Sequence, residues 1–340
     1  MNRKDFLRST LFLWAPVIIP FGSKGVPDFE DGYVMTVNGP VSTRDIGFTL
    51  SHEHIMVDFI GAEEVTPARY DADDVFVKSL PHLKQAGELG CKTLVECTPA
   101  WLGRDVLLMR RLAIASGLHI ITNTGYYGAS AEKFLPIHAY SESAEQLAAR
   151  WIEEWKEGIN GSGIKPGFIK IGVDGYPLSA VQRKLVAAAA LTHLETGLTI
   201  GIHTGSGAAA QEELHILKNM GVAPEAWIWI HAQNELNSAT HINMAKEGAW
   251  VSFDGLSDQS IDTYIQFLTN MKTANMLHKV LVSHDAGWYH VGEPDGGNYR
   301  PYHTVFTALI PALRKSGFSD AEISLIFIKN PAHALAVRIR

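Results

Sequence analysis

His52 and His54 in GFTLSHEHI, Lys170 in GFIKIGVD, His203 in LTIGIHTG, His231 in WIWIHAQN and Asp285 in VLVSHDAG each stand at the C-terminal edge of an apolar run that reads as a strand. Residues two apart in a strand point to the same face, so His52 and His54 can reach one metal ion together. Imidazoles and a carboxylate are borderline to hard ligands, suited to zinc and also to manganese, iron or cobalt. Ligands spread over five strands require a fold that gathers five strand ends in one place. A (β/α)8 barrel does so, because its active site is built at the C-terminal ends of the strands. A lone histidine at a strand end is more often an ordinary core or surface residue, and the chain has 15, so the ordered set carries the reading rather than any one member. His82, His138, His193, His215, His241, His278 and His333 fall on helix-like or loop segments. His284 precedes Asp285 and faces away from whatever Asp285 faces.

The elements that must position these residues alternate as parallel β/α units from Tyr33 onward. Strands are expected to end near His52, Glu96, Thr124, Ile171, His203, His231, Phe253 and Ser283, which makes eight. The helices between them carry end signals. Asp73 or Asp74 opens one that stops near Gly90, Ser141 or Ser143 opens one ending at Gly158, and Ser179 opens one ending at Gly197. Tyr33 to Val37 and a short segment at Val41 precede the barrel as a cover. The expected fold class is α/β, a (β/α)8 TIM barrel with a short N-terminal β cover, in a single domain over residues 33–340.

A chain of 340 residues with 46% hydrophobic composition can bury such a core without a second domain. The net charge of −7 is spread without blocks of one sign, which points away from nucleic acid and anionic membranes and toward a small-molecule partner, with a homodimer left open. Cys91 and Cys97 flank one strand-like run and read as small buried residues rather than a disulfide or ligands. Trp151, Trp155 and the run Ala187 to Ala190 read as helix faces packed on the barrel.

Residues 1–25 have another character. Arg3, Lys4 and Arg8 precede an apolar stretch from Leu11 to Ile19, too short to span a bilayer comfortably and fitting the apolar core of an export signal. Arg3-Lys4-Asp5-Phe6-Leu7-Arg8 resembles a twin-arginine signal with lysine in place of the second arginine, and that route carries proteins already folded around their cofactors. Export, to the periplasm, is the expectation. A disordered tail or membrane tether is the alternative, since Pro16 and Pro20 interrupt the apolar run.

The ordered set, with TVNGP before GFTLSHEHI, LGRD after the second strand, NTGYY after the third and KNPAHALA near the C-terminus, resembles the phosphotriesterase-like group of the amidohydrolase superfamily from about Tyr33 to the end. The resemblance implies a hydrolase with two divalent metal ions. It implies that His52, His54 and Asp285 bind the more buried ion and that His203 and His231 bind the more exposed one. It also implies that Lys170 is carbamylated and bridges both ions, with a hydroxide bridging from the other side. Electrostatics agree on the lysine: an ammonium, with an ordinary pKa of about 10.4, would repel two dications, whereas a carbamate is anionic and offers two oxygens.

In such a centre the pKa of a bound water falls from about 15.7 toward about 7, and the electrophile is polarised. Asp285 is then placed to take the proton and pass it toward the leaving group. Asp285 and Lys170 are thus the catalytic candidates. The family hydrolyses lactones, phosphotriesters and some N-acyl amides on nearly the same metal core, so specificity lies in the loops. Tyr127 sits where lactonase-like members place a tyrosine near the hydroxide. Trp101, Trp288 and Tyr289 are candidates to wall the pocket, and Arg300, on the Gly-rich loop after Asp285, to meet an anionic or polar group. After the sixth strand, Ala232-Gln233-Asn234-Glu235 replaces the acidic turn of better known lactonases, so their acyl-chain preference does not carry over. The leading reading is a binuclear metal-dependent hydrolase of an ester, lactone or phosphotriester. The alternatives are an amidohydrolase cleaving an N-acyl amide and a non-catalytic exported binding protein, the latter having no use for a bridging lysine.

Overall fold

The computed structural model describes residues 32–340, so the export signal expected over residues 1–25 lies outside the described residues. The chain enters through an antiparallel hairpin, β1 (Tyr33–Thr36) and β2 (Gly39–Ser42). TVNGP makes its turn: the Thr36 hydroxyl donates to the Gly39 carbonyl and accepts from the Asn38 amide. Val34 of this hairpin shares a buried cluster with Phe168, Ile228, Trp250 and Leu281, residues early in their strands, so the cover closes the end of the barrel opposite the strand-end histidines.

Next come β3 (Thr49–Glu53), the short outlying β4 (Met56–Val57), β5 (Thr93–Glu96), β6 (His119–Ile121), β7 (Asn123–Thr124), β8 (Phe168–Gly172), β9 (Thr199–His203), β10 (Trp227–Ile230), β11 (Trp250–Phe253) and β12 (Val280–Val282). A last short strand, β13 (Tyr289–His290), pairs with β4 outside the barrel. Neighbours run parallel in chain order, β3-β5-β6 and then β7-β8-β9-β10-β11-β12, with β6 and β7 being two halves of one strand broken at Thr122. The ring closes where the Ser51 hydroxyl donates to the Val282 carbonyl at 3.4 Å and the Asp285 amide to the His52 carbonyl at 3.1 Å. These strands, each followed by helix, form the (β/α)8 barrel expected from the sequence, and their ends fall within one residue of the expected positions.

Strand alternation sorts the side chains. Ile169 and Ile171 face the helical layer while Phe168 and Lys170 face the interior; Trp227 and Trp229 face out while Ile228 and Ile230 face in. The helix starts follow their caps. Asp71, rather than Asp73 or Asp74, caps Ala72–Glu88, because its extended backbone lets its carboxylate accept the Asp73 amide. Ser143, not Ser141, caps Ala144–Glu157 in a reciprocal pair with Gln146, and Ser179 does the same with Gln182 for Ala180–Thr196. Cys91 and Cys97 are buried and unpaired.

Candidate metal centre and active site

Asp285 Oδ1 lies 3.0 Å from His54 Nε2 and 3.4 Å from His52 Nε2. Neither approach makes a well-formed hydrogen bond, and Oδ1 and both His52 ring nitrogens are buried without a hydrogen-bond partner. Buried polar atoms are nearly always paired, so orphaned atoms of an imidazole and a carboxylate, with His54 Nε2 beside them, fit a cation. The His231 ring centre is 5.0 Å from that of His52 and 4.4 Å from that of His203. Lys170, 2% exposed, lines the same cavity from β8. The structure thus brings together all six residues proposed as ligands. Burial pushes His54 down to about 4, His203 well below the ordinary imidazole value, and the Lys170 ammonium down as well, which favours the neutral donors a metal requires. Lys170 makes no side-chain hydrogen bond or ion pair among the described residues.

A second ring of side chains, absent from the sequence reading, aims these donors. Asp254, fully buried just past β11, accepts from His231 Nδ1 at 2.6 Å, the Ser252 hydroxyl at 2.7 Å, and the His231 amide and Gln233 Nε2 at 3.2 Å. This keeps the proton on His231 Nδ1 and turns Nε2 to the cavity. His231 is raised above the ordinary imidazole value: burial opposes the shift, and the charge and hydrogen bond of Asp254 overcome it. His54 Nδ1 meets the Thr98 hydroxyl at 2.8 Å, and that hydroxyl donates to Glu96 at 2.6 Å. Burial raises the Glu96 carboxyl to about 7.

Glu53, between the paired histidines, holds the segment that carries Asp285. It accepts from the Ser283 hydroxyl at 2.7 Å, His284 Nδ1 at 2.6 Å, the His284 amide at 3.1 Å and the Ala286 amide at 2.8 Å. His284 Nε2 in turn accepts the Val305 amide at 2.9 Å. Two glycines make room for this packing. A Cβ on Gly287 would collide with the His54 carbonyl, and one on Gly125, in NTGYY, with the Lys170 carbonyl. The signals for Asp254 and Glu53 were a carboxylate immediately after the seventh strand and another facing opposite to two ligands.

The cavity over the cluster measures about 80 Å³ and is walled by Phe59, Pro99, Leu102, Phe134, Tyr127 and Trp288. The Tyr127 hydroxyl sits 3.1 Å from both ring nitrogens of His203, and the Trp288 ring lies 3.9 Å from that of His54. Two residues expected to wall this pocket, Trp101 and Tyr289, do not line it, nor does Arg300, expected to meet an anionic or polar group there. Trp101, at φ +67°, turns into a separate groove of about 560 Å³ with Tyr126 and Arg104, because the LGRD turn gives the inward place to Leu102. Tyr289 pairs through β13 with Met56 and does not line the cavity. Arg300 donates to the Asp285 carbonyl at 2.8 Å and braces that loop rather than reaching into the cavity.

A family model described as "Phosphotriesterase family" matches residues 32–335. The phosphotriesterase homology protein of Escherichia coli K12 is 29% identical over 290 residues, covering 84% of this chain and 97% of the relative. The aryldialkylphosphatase of Saccharolobus solfataricus is 29% identical over 309 residues, covering 86% and 95%. The N-acetyltaurine hydrolase of Dictyostelium discoideum is 26% identical over 280 residues, covering 78% and 73%. A solved structure described as the engineering of organophosphate hydrolysis activity from a weak promiscuous lactonase template has TM-score 0.80 at 24% identity, spans 89% of this chain and 100% of that one, and shares the fold. With the matched region running through the barrel and every one of its strand-end donors, the chain belongs to the phosphotriesterase family.

Proposed function

We propose that this protein hydrolyses a small neutral ester, lactone or phosphotriester. His52, His54 and Asp285 would hold one divalent ion and His203 and His231 a second, zinc or in its place manganese, cobalt or iron, with Lys170 between them as its carbamate. The chemistry such ions supply when bound is an acidified water and a polarised electrophile. A buried lysine with a depressed pKa and no carboxylate partner is suited to carbamylation, because the neutral amine is the form that attacks carbon dioxide. Asp285 accepts the proton of the attacking water at the barrel mouth and passes it toward the leaving group. Burial raises the Tyr127 phenol, which keeps its proton available as a hydrogen-bond donor beside His203. Phe59, Leu102, Phe134 and Trp288 exclude bulk water from the reacting bond.

The observation that carries the substrate class is the wall itself. Apart from Lys170 and the histidines, no cationic side chain among the described residues lines the cavity, so none of them pairs a sulfonate or carboxylate there. This favours neutral substrates over the N-acetyltaurine that names some of the relatives. Metal-loaded protein is screened against lactones, aryl esters, phosphotriesters, N-acyl amino acids and N-acetyltaurine. Turnover of a neutral class at least 10-fold above the anionic amides is expected, and preference for N-acetyltaurine would refute the reading.

A further inference from the structure

Ser130, Ala131 and Glu132 are consecutive residues other than glycine at φ +57°, +53° and +64°. Each L-residue in the left-handed region is disfavoured by about 5- to 30-fold, so a run of three persists only under fixed partners. Asp174, just past β8, is the main one: its two oxygens accept the Ser130 and Ala131 amides at 2.8 and 3.2 Å. The Gln182 side chain donates to the same carboxylate at 3.0 Å and to the Gly128 carbonyl at 2.9 Å. Glu132 accepts the Ser179 hydroxyl at 2.7 Å. The run delivers Ser130 and Phe134 to the wall of the metal cavity, and Lys133 between them donates to the carbonyl of Phe59, a third wall residue, at 2.7 Å.

We propose that Asp174 is a specificity-positioning residue, holding the left-handed run at 130–132 so that Ser130 and Phe134 form the substrate wall beside Tyr127. Asp174 bonds to none of the six ligand residues and does not line the cavity, so its loss acts on the wall and spares the metal centre. The proposal rests on the hydrolase reading for what the wall selects, while the anchoring itself is independent of it.

Full-length, metal-loaded protein is followed by amide hydrogen exchange at Ser130 and Ala131 and by steady-state kinetics on the best substrate of the screen. In Asp174→Ala, exchange at both amides is expected to rise at least about 10-fold and KM about 10-fold, with kcat and metal content within about twofold of wild type and the substrate ranking altered. Adding Ala131→Gly, which removes a left-handed penalty without deleting another contact, is expected to recover about 5-fold of both losses. Ala131→Val in the otherwise wild-type protein places a β-branched residue in that region and is expected to reproduce the loss with Asp174 intact, which keeps the proposal testable if Asp174→Ala does not fold. Unchanged exchange in Asp174→Ala, or a loss confined to kcat that Ala131→Gly does not relieve, overturns the proposal. Faster exchange with unchanged KM and ranking overturns the specificity role. Faster exchange in a protein that hydrolyses none of the panel supports the anchor and refutes the hydrolase reading instead.

Discussion

Replacing Asp254 by asparagine exchanges one carboxylate oxygen for an NH₂ group and should weaken metal binding by about 10- to 100-fold, the range for residues that orient metal-ligating histidines. The carboxylate accepts from His231 Nδ1, the His231 amide, the Ser252 hydroxyl and Gln233 Nε2. An amide offers one acceptor oxygen and an NH₂ group, so it cannot serve all four. If its oxygen faces His231, the imidazole keeps its tautomer and His231 itself loses only the charge on its 2.6 Å bond. A charge-assisted bond contributes about 1.5–3 kcal/mol and a neutral one about 0.5–1.5, so this orientation costs about 1–1.5 kcal/mol, or roughly 10-fold. If the NH₂ faces His231 instead, Nδ1 must accept, the proton moves to Nε2, and the nitrogen aimed at the cavity can no longer ligate. That orientation accounts for the 100-fold end. Competition with a chelator at fixed pH measures the affinity, and circular dichroism checks that the barrel is intact. Affinity and kcat within twofold of wild type would show that Asp254 does not set the His231 tautomer.

Lys170→Ala should lose metal below one equivalent and regain part of it, with activity, on adding a short carboxylic acid that fills the vacated space; Lys170→Arg, fixed as a cation, should not, and a near wild-type Lys170→Arg rate would exclude the bridge. Glu53→Gln leaves the Ser283–Ala286 segment with one acceptor oxygen where it now has two, and should lower unfolding free energy by about 1.5–3 kcal/mol in urea titrations, with no change expected only if the loop has other anchors. Glu96 has its carboxyl raised from 4.5 to about 7, so the folded state holds its proton more tightly and the apoprotein loses stability as pH rises through that window, by about 3 kcal/mol as an order of magnitude. The difference between wild type and Glu96→Gln, measured by urea unfolding from pH 4.5 to 7, should carry that slope, and parallel profiles would contradict it. Trp288→Ala should reorder lactone, aryl ester and phosphotriester rates at constant metal content, whereas Trp101→Ala, in the neighbouring groove, should leave KM values within about twofold.

The strand-end donors were legible because a period of two and the order of strands together fix where a side chain at a strand terminus points; Lys170 follows from the inward Phe168 as soon as β8 is recognised. The loops carry no such period. Between Ala100 and Leu102 the choice of which side chain turns inward rests on the positive φ of Trp101 and of Gly103, where a Cβ would press on the Asp58 amide, and no spacing announces it. Arg300 misleads for a different reason: a guanidinium in a loop can satisfy backbone carbonyls as readily as a ligand, and here it takes those of Asp285 and His284. The buried carboxylates were hidden by distance along the chain. Glu53 and the His284 amide it accepts are 231 residues apart, and their contact exists only because the first and eighth strands close the ring. His284 could be read as facing away from the site, but what it faced could not. A substitution scan ranked on sequence alone would therefore place Trp101 and Arg300 above Asp254 and Glu53. The hydrogen bonds reverse that order, since the first pair touches neither the cavity nor the ligand side chains, while of the second pair Asp254 determines which nitrogen of His231 the cavity receives and Glu53 holds the residues on either side of Asp285.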